Sequence, residues 1–494
     1  MKFSQQAASS LLFASAVIAT DPLTADKVEA DIKTSELQNV LWNLNHIADT
    51  HGGNRAFGEP GYKASVDFIV ERAKGRFHPE IDSYVQAFNH TYDKTNEIKV
   101  TGPDGENVFV ISPQYNPATP LPGGITAQLI NTPVNDETGS GCLAEQWDGI
   151  DATGKLALVK RGVCAVSEKL KFAKAKGALG VILYNQAPGT DYATPTLGAE
   201  NLGQIIPVGI VPLEVGTAWI ARLGAGETLT VNLLVDAIAE IRETWNVIAE
   251  TKEGDPNNVI MLGAHLDSVQ QGPGINDDGS GTAALLELMT SIKSYKGFPN
   301  KIRFAWWGAE ESGLVGSLHY TSTLTEEEAN KIKYYFNYDM IGSPFPIYEI
   351  ETYENSGIGA KLLEDYLVSK GKTVEHGNFD DGNSDYVGFV ELGIPTTALF
   401  TGAGKPWDPC YHQACDTTDN IDYDALTVNT KAAGRALVTL AHSLEGVPPR
   451  AKTTPNLRGR SKISHQFKKW KRLAEEAGNS HGKLCSHKTK PTTV

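Results

Sequence analysis

The chain has 494 residues, 44 of them basic and 59 acidic, for a net charge of −15. Apolar residues make up 40% and charged residues 21%, which excludes a disordered, collagen-like or disulfide-scaffold protein and allows two or three domains. The acidic balance excludes nucleic acid as the main partner, because phosphate binding needs clustered Lys and Arg.

The chain opens with Lys2 and an uncharged apolar run from Ala7 to Ala19. This reads as a secretory signal over residues 1–19, cut after Ala19. The run is too short to span a bilayer, and no later segment is long and apolar enough, so no membrane insertion is expected. Residues 20–34 read as a propeptide or flexible lead. Leu37, Leu41, Leu44 and Ile47 then follow helical spacing, Gly52-Gly53 breaks that helix, and Tyr62 to Lys74 forms a second one. This stretch, 35–99, reads as the start of one domain.

The texture changes over 100–235. Strand-like runs (Val108–Ile111, Leu156–Val159, Val181–Tyr184, Ile206–Ile210) alternate with Gly- and Pro-rich turns, and one helix spans Glu168 to Ala175. This reads as a small β-rich domain.

Over 236–447, strands alternate with helices. The strands are Val259–Ala264, Ile302–Trp307, Tyr334–Tyr338 and Thr397–Phe400; the helices are Ala283–Ile292, Glu326–Lys333, Gly359–Ser369 and Lys431–Leu444. The alternation predicts an α/β fold with a mostly parallel central sheet covered by helices. Thr325 with Glu328 fits a capping box, so Glu326-Glu327-Glu328 reads as a helix start. Pro448-Pro449 closes the domain. The tail from Arg450 holds 12 basic and 2 acidic residues, leaving −25 on the rest. Residues 448–494 therefore read as a separate basic tail, processed or solvated.

Of five cysteines, Cys410 and Cys415 are close enough for a local loop, Cys142 and Cys164 flank a strand-like segment, and Cys485 is left over. The one acceptable glycosylation sequon is Asn89-His90-Thr91, since Pro117 blocks Asn116.

Ligands of open α/β sheets bind beyond the carboxyl ends of the strands. His265, Asp267 and Asn276-Asp277-Asp278 follow the first strand of the third region. Glu310 and Glu311 follow the second, Asp339 the third, and Tyr411-His412 the last. Imidazoles and carboxylates without a thiolate suit Zn²⁺ or a similar divalent ion. Two Zn²⁺ would be balanced by Asp277, Glu311, Asp339 and a hydroxide, as a partly buried site requires. Asp278 reads instead as a helix cap.

Five motifs carry a resemblance: His265-Leu266-Asp267-Ser268, Asn276-Asp277-Asp278-Gly279-Ser280-Gly281, Trp307-Gly308-Ala309-Glu310-Glu311-Ser312-Gly313, Asn337-Tyr338-Asp339-Met340-Ile341 and Cys410-Tyr411-His412-Gln413-Ala414-Cys415-Asp416. Together they resemble the co-catalytic di-zinc aminopeptidases, of the type of aminopeptidase Y and the secreted fungal leucine aminopeptidases. Asn54-Arg55-Ala56-Phe57-Gly58-Glu59-Pro60-Gly61-Tyr62 resembles the start of the same peptidase domain. Gly154–Cys164 and Val181–Asn185 resemble the protease-associated domain, which makes 100–235 an insertion.

The resemblance implies two Zn²⁺ per chain. Asp277 would bridge them, His265 and Asp339 would complete one site, and Glu311 and His412 the other. Asp267 would orient His265. Glu310 would be the general base on a metal-bridging water, and Tyr411 would bind the oxyanion. It also implies the disulfides Cys142–Cys164 and Cys410–Cys415. Asn383 stands where some bacterial members carry Arg.

The expected protein is a secreted, alternatively vacuolar, monomeric aminopeptidase. It would act on peptides or proteins with a free N-terminus, preferring large apolar first residues such as Leu. The rivals are a carboxypeptidase on the same fold, which would need cationic groups for a substrate carboxylate, and a non-catalytic binding protein, which would lose ligands or the base.

Overall fold

The computed structural model describes residues 21–77, 80–190, 194–352, 357–379 and 382–451. The expected signal sequence, Cys485 and all but the first residues of the basic tail lie outside them. The chain forms two compact units, Met1–Phe88 with Thr244–Val494 and the inserted Asn89–Glu243. The insertion is wider at both ends than the 100–235 expected, because two long strands, Ile81–Thr101 and Thr230–Thr251, each contain a boundary.

In the first unit the sheet runs in the order 375–378, 349–352, 396–400, 332–338, 255–265, 300–307, 244–251. Its four central strands, Thr396–Phe400, Ile332–Tyr338, Asp255–His265 and Asn300–Trp307, are parallel. The flanks turn antiparallel, where Glu349–Thr352 pairs with Thr396–Phe400 and Val247 with Trp306. The sheet is therefore mixed with a parallel centre.

Alternation sorts the central strands onto two apolar layers. Ile260, Leu262, Ala264, Phe304 and Trp306 pack with the helices Thr34–Thr50, Gly279–Ile292 and Tyr423–His442. Val259, Met261, Ala305 and Trp307 pack on the other face against the helix Val315–Thr323 and the short turn of helix Val387–Glu391. Burial on both faces explains why these strands read as continuous apolar runs. The carboxyl ends of all four parallel strands meet at one edge of the sheet. The capping box at Thr325 is formed: its hydroxyl accepts from Glu328 N and the Glu328 carboxylate accepts from Thr325 N. The helix it starts ends at Lys331, two residues sooner than expected, because Ile332 and Lys333 belong to the next strand.

The inserted unit holds parallel strands Ile125–Asn131, Leu156–Lys160, Gly180–Tyr184 and Val208–Val211. Leu170 and Ala173 of the helix Val166–Ala175 pack on one face, and Trp219 of Leu213–Gly224 on the other. A disulfide joins Cys142 to Cys164, with Cα atoms 5.8 Å apart. Lys169 Nζ donates to the Ser140 carbonyl at 2.5 Å beside it. Asn89 is exposed on the strand Ile81–Thr101, whereas Asn116 is fully buried.

Residues 21–34, expected as a propeptide or lead, are packed into the first unit. Leu23, Val28 and Ile32 are buried in its main core. Ser291 and Tyr295 both donate to Asp31 at 2.7 Å, and Arg435 donates to Asp26 and Glu29. Ile32→Ala is expected to cost about 2–4 kcal/mol through lost burial and a cavity. The midpoint of denaturant unfolding measures it; an unchanged midpoint would mean that this segment contributes no stability.

Candidate metal centre

The five motifs that carry the aminopeptidase resemblance converge on the carboxyl edge of the parallel strands. His265 ends its strand, and its Nε2 lies 3.0 Å from Asp277 Oδ1, 3.7 Å from Asp339 Oδ1 and 3.9 Å from Glu310 Oε2. His412 Nε2 lies 3.2 Å from Asp277 Oδ2 and 3.1 Å from Glu311 Oε2. The two oxygens of Asp277 thus face two different histidines. Tyr411 stacks on the His412 ring with centroids 3.8 Å apart. Asp277, Glu310, Glu311, Asp339, Tyr411 and His412 line a cleft that also includes Glu351, Asn383 and Phe400.

The backbone around the cluster is held from beneath. Asp267 is fully buried, and its oxygens accept from Glu310 N at 3.0 Å and Glu311 N at 3.3 Å. Its side chain therefore holds the glutamate loop, while its own carbonyl, 3.1 Å from His265 Nδ1, sits against the imidazole. That carbonyl can accept only an N–H, which leaves Nε2 as the basic nitrogen turned to the carboxylates. Asp416 accepts from Asn276 N at 2.9 Å and Asp277 N at 3.1 Å. Asp408 accepts from Asn276 Nδ2 at 2.7 Å. These two aspartates flank the Cys410–Cys415 disulfide, so the loop carrying His412 is fastened to the residue that His412 faces. Asp339 Oδ2 accepts from Ser384 Oγ at 2.6 Å, at the end of a chain from Trp307 through Tyr335 and Asn337. Ala309, Met340 and His412 all have left-handed backbone, with φ of 57°, 50° and 58°. Strain of this kind in non-glycine residues gathers at functional sites.

Asp278 lies close enough to His265 and Asp339 to share an ion. Its carboxylate is already committed: it accepts from Gly281 N at 2.8 Å, His265 N at 3.1 Å and Met340 N at 3.2 Å. It caps the helix Gly279–Ile292, as its position in the sequence implies. Gly281 is required there because a Cβ would overlap the Tyr338 carbonyl.

Sequence reading missed Arg55. It is fully buried and donates to the carbonyls of Leu266, Pro273 and Gly274, with Asp267, Asp277, Asp278 and Asp416 acting on it electrostatically. Its only sequence signal was a place in the Asn54–Tyr62 motif. Asn383, at the position that carries Arg in some relatives, accepts from Tyr386 OH at 2.6 Å. Asp381 of the same segment lies outside the described residues.

The electrostatics fit a divalent cation. Burial pushes Glu311 up to about 7, helped by the Asp277 charge. Burial drives Glu310 well above the usual carboxylate range, against the pull of His265. Burial opposes charge on His412, yet hydrogen bonds to Asp277 and Glu311 raise it to about 10. Asp277 is the exception: its two histidines outweigh burial and hold it low. Protons thus crowd a site built for positive charge. Glu311 Oε1 and Asp339 Oδ1 are buried without a hydrogen-bond partner and are open to a metal ion.

A parallel sheet with such a cluster at its carboxyl edge is the frame of a metal-dependent α/β hydrolase. The sequence model of peptidase family M28 matches residues 246–437, and that of the PA domain matches residues 125–219. The chain is 38% identical to an aminopeptidase of Pseudomonas aeruginosa, over 81% of this chain and 80% of that protein. It is 33% identical to aminopeptidase Y of Saccharomyces cerevisiae (86% and 82%) and 34% identical to leucine aminopeptidase 2 of Trichophyton rubrum (90% and 91%). Among solved structures it resembles the aminopeptidase of Aneurinibacillus sp. strain AM-1, with a TM-score of 0.70 and 27% identity over 85% and 96% of the chains. It also resembles the zinc aminopeptidase BSAP of Bacillus subtilis, with a TM-score of 0.63 and 28% identity over 85% and 97%. The chain belongs to peptidase family M28 and is a hydrolase with an inserted PA domain.

Arg55→Met is expected to destabilise the protein by about 3 kcal/mol or more, because three buried carbonyls lose a charged donor. Urea unfolding with zinc analysis of the same sample measures it. Wild-type stability and metal content in the variant would contradict the supporting role of Arg55.

Proposed function

We propose that this chain is an aminopeptidase that hydrolyses the N-terminal peptide bond of peptides and proteins with the help of two Zn²⁺. The observation that carries this reading is Asp277, whose two oxygens face His265 and His412 at 3.0 and 3.2 Å. That is the arrangement of a carboxylate shared between two ions. In this reading His265 and Asp339 serve one ion, and Glu311 and His412 the other. When bound, such a pair polarises the scissile carbonyl and acidifies water.

The chain's own groups do the rest. Glu310, adjacent to the ligand Glu311 but turned toward His265, takes a proton from the attacking water and passes it to the leaving amine. Asp267 fixes the loop that carries both glutamates. Tyr411 donates its hydroxyl to the developing oxyanion; burial and the surrounding carboxylates keep that hydroxyl protonated at neutral pH. A free α-ammonium is held by this acidic wall, and an acetylated terminus is not. Met340 and Phe400 line the cleft, which supports acceptance of large apolar first residues such as Leu.

The cleft lining includes no Lys or Arg among the described residues, so nothing there favours a carboxypeptidase, which must hold a substrate carboxylate. A binding protein would not need Glu310. Two disulfides and the signal-like N-terminus support a secreted or vacuolar site of action, with Asn89 as a glycan acceptor. Among the described residues no helix is long and apolar enough to cross a membrane. The remaining parts of the reading are a monomer, maturation after Ala19 and a processed basic tail.

The test compares a free-amine Leu-peptide with its N-acetylated and C-amidated forms, with zinc counted on the same sample. Cleavage of the free and amidated forms only, with about two zincs per chain, is expected. Loss on amidation would make the enzyme a carboxypeptidase. Glu310→Gln should keep its zinc while kcat falls by about 10²–10⁴-fold. Near wild-type kcat in that variant would remove Glu310 from its role. His412→Ala should lose metal toward one ion per chain, and two tightly held ions would contradict the ligand assignment.

A further inference from the structure

A disulfide and a buried lysine meet in the inserted unit. Lys169, on the helix Val166–Ala175, is fully buried. Its Nζ donates to the Ser140 carbonyl at 2.5 Å and to Cys142 Sγ of the Cys142–Cys164 bridge at 3.3 Å. Among the described residues no carboxylate is paired with it. Burial lowers its pKa to about 8, which leaves it an ammonium at neutral pH. A carbonyl and a bridged sulfur carry no net charge, and a buried ammonium without a counter-anion is unfavourable. A Cys142 thiolate is the missing counter-anion, and it exists only once the bridge opens.

The two ends of the bridge are held differently. Cys142 N and Leu143 N donate to Gln146 Oε1 at 2.8 and 3.1 Å, and Trp147 Nε1 donates to the Gly141 carbonyl at 3.2 Å. These bonds keep Cys142 beside Lys169 whether or not the bridge is closed. Cys164 follows Val163, which is 70% exposed and has left-handed backbone, with φ of 66°. Cys164 N donates to the Gly162 carbonyl at 3.0 Å, which closes a three-residue turn around Val163. A β-branched residue is strained in that conformation, and an exposed side chain gains little packing in return. Opening the bridge lets this turn relax. Cys164 lies between the exposed Val163 and Ala165, where a thiol from solvent can reach it.

We propose that Cys142–Cys164 is a thiol–disulfide exchange site for a dithiol, with Lys169 stabilising Cys142 as the leaving thiolate. The thiolate of the dithiol attacks Cys164 Sγ. The bond between the cysteines breaks, and its electron pair stays on Cys142. The second thiol of the dithiol then attacks the mixed disulfide and passes its proton to Cys164. The chain is reduced by two electrons, and the dithiol is oxidised to a disulfide. A neighbouring ammonium favours the thiolate, which speeds its departure and stabilises the reduced form. The inference is independent of the aminopeptidase reading, because none of these residues belongs to the metal centre.

The experiment equilibrates the full chain at neutral pH with graded ratios of reduced to oxidised dithiothreitol. Free thiols are trapped by alkylation and located by peptide mass, so the readout does not depend on activity. Lys169→Met is expected to need a ratio at least about tenfold higher than wild type to open Cys142–Cys164, equivalent to about 30 mV. Cys410–Cys415 should open at the same ratio in both proteins. Loss of folded structure shifts Cys142–Cys164 the other way, because a loosened chain is reduced more readily. An equal or lower ratio in Lys169→Met overturns the proposal. The wild type gives a second readout. In its reduced form, the alkylation rate of Cys142 should reach half its maximum at least about one pH unit below that of Cys164. A Cys142 midpoint equal to or above that of Cys164 overturns the role of Lys169.

Discussion

Asp277, Glu310, Glu311 and Asp339 crowd around His265 and His412 at the carboxyl edge of a buried sheet, and such a concentration of negative charge is stable only beside compensating cations. Asp277 is the centre of the arrangement. Each of its oxygens faces a histidine, and those histidines come from segments far apart in the chain, His265 at a strand end and His412 in a disulfide loop. The supporting structure around the site serves to hold this one contact in register.

That support is polar and buried. Arg55 ties down three carbonyls of the segment after His265, and Asp416 and Asp408 hold the Asn276-Asp277 backbone and side chain. Asp267 grips the amides of both glutamates. Each is a hydrogen bond to a charged group in a low-dielectric interior, where such bonds are strong and a missing partner is costly. The ligand loops are thereby ordered without regular secondary structure of their own. The same scaffold leaves Glu310 and Tyr411 facing the cleft.

Much of this was legible in the sequence. The four parallel strands were readable because burial on both faces makes each a continuous apolar run. All five ligand candidates, Glu310 and Tyr411 were readable because ligands of such sheets follow strand ends; all but His265 line one cleft, and His265 lies 3.0 Å from Asp277. Asp278 was readable as a helix cap from its place before Gly279. The strand Glu349–Thr352 was not readable, because four residues pairing on both sides show no clear period. The segment 20–34 read as a propeptide or flexible lead; that its described part is packed into the core was not readable, because Leu23, Val28 and Ile32 are too sparse to signal it. Arg55 looked like any surface arginine, since burial of a charge is invisible until its partners are assembled.

The sequence by itself determined which side chains gather at the strand ends, the order in which the strands present them and the presence of an inserted domain. Local periodicity and the spacing of ligands after strands are enough for that. Only the tertiary structure decided which carboxylates face the two histidines and which brace the backbone. It also decided that Glu351 joins the cleft from a neighbouring strand. Those choices depend on register between strands and on hydrogen bonds between residues more than a hundred positions apart, and no local pattern encodes either.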